Sequence, residues 1–139
     1  MQEPDLNALR DAYVTAARAL IDQVEDAAPE QEMRGITGRA GAVLRAQLPV
    51  LEALGALDLR PGGADQREVL VAISRAQHLP RMVLAFGEVL RREEKSRAWA
   101  AAQQRALELA GDLALLTQCW VIAAAPDLDA LEAEEDEGF

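Results

Sequence analysis

The sequence predicts an all-α fold: a helical bundle of about five helices with a long C-terminal helix as its central member, then an acidic disordered tail. Three observations predict it. Apolar residues recur at steps of three and four through much of the 139-residue chain, the spacing that lines one face of a helix. The core must be aliphatic, because only two Phe, two Trp and one Tyr serve a chain that is 50% apolar. Leu- and Ala-rich stretches with few β-branched runs favour helix over strand. Finally, from Ala98 to Ala125 a seam of Trp99, Ala102, Ala106, Leu109, Leu113, Leu116, Trp120 and Ala123 keeps coiled-coil spacing throughout.

In chain order, Pro4-Asp5 suits the opening turn of a first helix. Its apolar row is Leu6, Leu9, Tyr13, Ala16, Leu20, Val24 and Ala27, and it ends near Ala28-Pro29. Gly35, Gly38 and Gly41 stand three apart, which reads as a loose helix start or a close backbone approach. A second helix spans Ala42 to Leu57, with Pro49 either kinking it or marking a new first turn. Asp58-Leu59-Arg60-Pro61-Gly62-Gly63-Ala64 is the clearest turn. Asp65 then caps a helix whose buried side is Val69, Leu70, Ala72 and Ile73 and which reaches about Gln77. His78-Leu79-Pro80 breaks it, and Met82 to Leu90 begins another. The charged run Arg91 to Arg97 carries charge pairs at i,i+4 spacing, so helix continues through it into the long seam. Leu107, Ala110, Ala114, Leu115, Cys119 and Ile122 widen that seam beyond what one neighbouring helix covers. Pro126 stops it. Residues 1–125 then form a single α-helical domain, and 126–139 an acidic C-terminal tail.

The net charge of −10 is unevenly spread. Residues 1–30 sum to −5, 31–97 to +3, 98–125 to −1 and 126–139 to −7. A total of this sign opposes free nucleic-acid binding, where phosphate contacts dominate. One cysteine rules out an internal disulfide and a cysteine metal cluster, and a cytoplasmic location is expected. The opening Met-Gln-Glu-Pro-Asp lacks the basic and apolar regions of a secretory signal. No uncharged apolar stretch reaches the ~20 residues of a membrane span, so no membrane partner is expected.

Catalytic chemistry finds little support. His78 is the sole histidine, no nucleophile or carboxylate is signalled beside it, and a helix cap explains it better. Cys119 sits among apolar neighbours, where a thiol behaves as a small hydrophobe. Glu108 and Asp112 share a face but lack the histidines of a di-metal bundle. The expectation is no enzyme, no catalytic or metal residue and no cofactor. Residues 66–92 also fail as a helix-turn-helix. Met82, Val83, Leu84 and Phe86 occupy the places where a recognition helix needs polar side chains. Arg75, Arg81, Arg91 and Arg92 remain candidates for backbone contact with nucleic acid.

The chain closes on Glu134-Glu135-Asp136-Glu137-Gly138-Phe139. This ending resembles the acidic, Phe-terminated tails of bacterial single-stranded DNA-binding proteins, although Gly138 stands where those tails usually have proline. The resemblance implies a docking peptide in which Asp136, Glu137 and Phe139 meet a basic, apolar pocket on a partner. It carries no fold with it.

The expected function is a non-enzymatic assembly, adaptor or scaffolding subunit that forms a homo-oligomer or joins a larger complex of protein partners. Its expected oligomer interface is Trp99, Leu109, Leu113, Leu116 and Trp120. The alternative is a small helical subunit of a nucleoprotein complex, of viral packaging or RNA-guided type, using the arginines of residues 31–97 on phosphates.

Overall fold

A computed structural model describes the backbone of residues 5–26, 42–85 and 97–137, with side chains over 5–24, 42–85 and 100–124. All regular structure among them is helical: α1 (Leu6–Asp26), α2 (Leu48–Gly55), α3 (Gln66–Ala76) and α4 (Arg97–Glu137). The all-α class is therefore as the sequence predicts. The glycine run at 35–41 and the charged run at 91–96 lie outside the described residues.

The architecture follows from three apolar rows. Leu6, Tyr13, Ala17, Leu20, Ile21 and Val24 bury one side of α1. Ala102, Ala106, Leu109, Leu113, Leu116, Trp120 and Ala124 bury one side of α4. These two rows make the principal helix pair. The short helices α2 and α3 form a hairpin beside it, α2 against α1 and α3 against α4. Leu51 and Leu54 of α2 and Val69, Ala72, Ile73 and Ala76 of α3 close the core.

Local chemistry sets each boundary. The Asp5 carboxylate accepts from the Ala8 N–H at 3.1 Å and caps α1. Pro49 lies in the first turn of α2, so it starts a new helix after the turn at Ala46-Gln47. Between α2 and α3 the chain reverses. The Ala64 N–H donates to the Asp58 carbonyl at 2.8 Å, and Gly62 takes φ +81°. Asp65 caps α3 by accepting from the Arg67 N–H at 2.8 Å. Leu70 departs from expectation: it is exposed, because the buried row runs through 69, 72, 73 and 76 and position 70 falls beside it.

Two prolines act differently from the sequence reading. Helix resumes over 78–85 after a single turn residue, Gln77, and Leu79, Pro80 and Val83 are buried. His78-Leu79-Pro80 thus starts a helical segment rather than ending one. Likewise α4 does not stop at Pro126 but continues to Glu137, so helix replaces the expected disordered tail. Proline followed by Asp127 and Asp129 is itself a helix-opening pattern. Its missing N–H would have served the carbonyl of Ile122, a residue 68% exposed, where water is at hand.

Candidate interaction surfaces

A row of polar side chains on α1 holds the short helices in place. Asn7, Arg10 and Tyr13 stand three apart and so share one side of the helix. Asn7 donates to the Asp58 carboxylate at 3.0 Å, and its own side-chain oxygen accepts from the Leu59 N–H at 2.9 Å. Arg10, almost wholly buried, donates to the carbonyls of Leu54 (3.2 Å) and Leu57, and pairs with Asp11 at 2.7 Å. Those carbonyls belong to the C-terminal end of α2, where orphaned acceptors and the helix dipole both favour a cation. The Tyr13 hydroxyl donates to the Ala76 carbonyl at 3.1 Å. Burial raises the Tyr13 phenol above its ordinary pKa, and the Asp112 carboxylate adds to the rise. The hydrogen bonds from Arg60 and then Asn7 hold the Asp58 carboxyl well below the usual range, and Asp58 in turn raises Arg60.

With those groups used structurally, two surfaces stand out among the described residues. The first is the side of α4 facing away from its core row. At 100° per residue, positions 107, 111, 114, 118, 121 and 122 gather opposite 102, 106, 109, 113, 116, 120 and 124. Leu107 is 55% exposed, Leu115 51%, Val121 40% and Ile122 68%. Gly111, Ala114 and Gln118 complete the stripe, and no charge interrupts it. Arg105 and Glu108 flank it and pair across 3.9 Å. A Cβ at Gly111 would meet nothing within 4 Å. Both sides of α4 are thus apolar. By length and composition Ala100–Ala124 is long and apolar enough to cross a membrane, yet one side of it is buried against this chain's own α1.

The second surface is a groove of about 510 Å³ between α2 and α3. Pro49, Val50, Ala53, Leu57 and Val71 give it an apolar floor, and Arg67, Glu68 and Arg75 give it a charged edge. A neighbouring hollow of about 440 Å³ separates the 59–67 turn from Trp120 and Ala124, and Arg67 borders both.

The residues singled out from sequence fall as follows. Leu109, Leu113, Leu116 and Trp120 are each at most 3% exposed, covered by the chain's own helices. As an intermolecular interface they are corrected to intramolecular core, and the side chain of Trp99 lies outside the described residues. Arg75 lines the α2–α3 groove, whereas Arg81 lines a separate depression with Gln77, Pro80, Ala110 and Ala114. Arg91 and Arg92 are outside the described residues. Asp136 and Glu137 belong to the last turns of α4, and Phe139 is outside. His78, Glu108 and Asp112 are exposed and Cys119 is half-buried. Among the described residues no cluster of His, Cys, Asp and Glu is placed to hold a metal. No known protein family, curated protein or solved structure matches the chain.

Proposed function

We propose that this protein is a non-enzymatic helical assembly module whose first partner is a second copy of itself, joined through the outer side of α4. The observation that carries the reading is the uncharged stripe on that side, Leu107 through Ile122, set opposite a core row that is already covered. Exposed apolar side chains scattered singly need no explanation, but a contiguous stripe on one helix does.

Two features favour a second copy over an unrelated chain. A two-fold interface must be complementary to itself. With two α4 helices antiparallel about the midpoint of Ala114 and Leu115, Leu107 meets Ile122, Gly111 meets Gln118 and Ala114 meets Leu115. Leu107 thus faces Ile122, the glycine leaves room for Gln118 and the small Ala114 for Leu115, while Glu108 falls at the edge beside Val121. Gly111 also lacks an internal reason, since its own fold leaves open space there. Glycine inside a helix costs about 1 kcal/mol relative to alanine, and a closely approaching helix accounts for its use.

Light scattering across a concentration series tests the reading. A particle of two chains is expected, each chain being 15.0 kDa. Gly111→Leu is expected to lower that mass to one chain while raising helix stability, because it fills the approach and removes a helix-breaking residue. A single-chain mass for the wild type at high micromolar concentration overturns the proposal.

A further inference from the structure

The groove between α2 and α3 carries an inference independent of the α4 contact. We infer that it receives the acidic segment Asp127–Glu137 of another copy of this chain. The groove offers an apolar floor of Pro49, Val50, Ala53, Leu57 and Val71, of which Val71 is 48% exposed. Arg67 and Arg75 stand at its edge, and neither guanidinium has a hydrogen bond or ion pair to a carboxylate among the described residues. Arg18 and Arg81 are likewise exposed without such a partner, but neither borders this trough. Arg60 is held by Asp58 at 2.8 Å and Arg105 by Glu108 at 3.9 Å. Two unpaired guanidiniums beside an apolar trough, with Glu68 as the single acid there, form a receptor for carboxylates interleaved with aliphatic side chains.

The chain contains one such ligand. Residues 127–137 hold seven acids and no base, with Leu128 and Leu131 three apart among them. The composition matches the groove: two leucines suit an apolar trough, and the acids around them suit an arginine edge. Since α4 is one helix to Glu137, this segment is carried about 20 Å past Ala124. A continuous helix cannot fold back onto the α2–α3 groove of its own chain, so the groove it fills is a neighbour's. Such a contact joins unlike surfaces. It therefore propagates from chain to chain instead of closing in a pair, and it extends whatever the outer side of α4 assembles.

The test is fluorescence anisotropy with a labelled synthetic peptide of residues 126–137, titrated with the full-length protein at about 20 mM and about 300 mM salt. Saturable binding is expected, weakened about tenfold or more at the higher salt, as befits exposed charge pairs. Arg67→Glu with Arg75→Glu is expected to abolish it, with helical circular dichroism unchanged. Arg81→Glu, the same reversal in another depression, is expected to leave it intact. A peptide with Leu128→Ser and Leu131→Ser is expected to bind about tenfold more weakly, as two lost apolar contacts would give. If the groove variant does not fold, Val71→Ser supplies the second measurement and is expected to weaken binding. Failure of the peptide to bind, or equal loss with Arg81→Glu, overturns the assignment. Because the peptide contains none of the Leu107–Ile122 stripe, its failure leaves the α4 contact to be judged by mass alone.

Discussion

The Tyr13 hydroxyl donates to the carbonyl of Ala76 across 3.1 Å, and that carbonyl is the one a residue at position 80 would ordinarily serve. Position 80 is proline, which has no N–H to give. Helix can therefore resume over 78–85 beyond Gln77 with its buried acceptor satisfied by a side chain 63 residues away. Tyr13→Phe keeps the ring and removes the donor, leaving a buried carbonyl unpaired. A loss of about 1–2 kcal/mol is expected in urea unfolding. The pH dependence follows from the raised phenol. The stability it contributes is full below pH ~10, where the unfolded tyrosine begins to ionise, and falls as pH rises further. The gap between wild type and Tyr13→Phe should accordingly narrow above pH ~10. A gap that stays constant to pH ~11 would mean that the hydroxyl is not buried in the way the hydrogen bond implies.

Arg10 performs the matching task for α2, and its loss is expected to be the larger. A methionine there preserves much of the aliphatic length but leaves the carbonyls of Leu54 and Leu57 without their donor. Two partly buried acceptors left unsatisfied imply roughly 2–4 kcal/mol of destabilisation. Lysine should recover only part of it, since a point charge cannot reproduce the spread of guanidinium donors that reaches two carbonyls and Asp11 together. Chemical denaturation of the three proteins side by side gives the order wild type, Arg10→Lys, Arg10→Met.

The sequence made some of this legible and hid the rest for identifiable reasons. Periodicity located α1 and the core row of α4, and Asp65 announced its helix because an N-cap is a local event. Pro49 at a helix start was likewise readable from one residue's covalent geometry. The roles of Arg10 and Tyr13 were not. They depend on α1 lying across helix ends 44 and 63 residues distant, which no local pattern encodes. The apparent break at His78-Leu79-Pro80 was misplaced for the same reason, since the remedy for the missing N–H lies on α1. On α4 the breadth of the apolar surface was visible in the sequence, but its division was not. A period of 3.6 residues shows that two sides are apolar without showing which one the chain keeps for itself. The interface residues expected at Leu109, Leu113, Leu116 and Trp120 proved to be the kept side.

The turn between α2 and α3 should be sensitive at two adjacent glycines for different reasons. Gly62 occupies φ +81°, so Gly62→Ala is expected to cost about 1 kcal/mol through backbone strain. At Gly63 an added Cβ would lie 2.5 Å from the Asp58 carbonyl oxygen, which is backbone and cannot swing aside. Gly63→Ala should be the worse of the two and should disturb Asp58 directly. Asp58 also sets the acid limb. Its folded pKa is depressed, so its contribution is present above pH ~4 and is lost as pH falls below that value. Asp58→Asn should lower stability at neutral pH and approach wild type in acid. Parallel stability curves for the two proteins between pH 6 and 2 would refute the role given to this carboxylate.

The two sides of α4 call for opposite outcomes from one chemical change. Leu113 is 2% exposed and lies in the core row, so Leu113→Asp buries a charge among apolar neighbours with nothing to pair it. A penalty above about 4 kcal/mol is expected, enough to unfold much of a marginally stable domain. Leu115 is two residues further on and 51% exposed, and an aspartate there remains in water in the single chain. Leu115→Asp should therefore leave the circular dichroism of the dilute protein unchanged while preventing association, because the two-fold pairing brings the same acid from each copy to the centre of the contact. Unfolding and mass must be measured together on both variants. If Leu115→Asp unfolds the dilute chain, the outer side is buried by this protein's own residues and the proposed contact has no surface to use. If Leu113→Asp folds as well as wild type and only dissociates, the core row is the interface after all, and the assignment of the two sides is reversed.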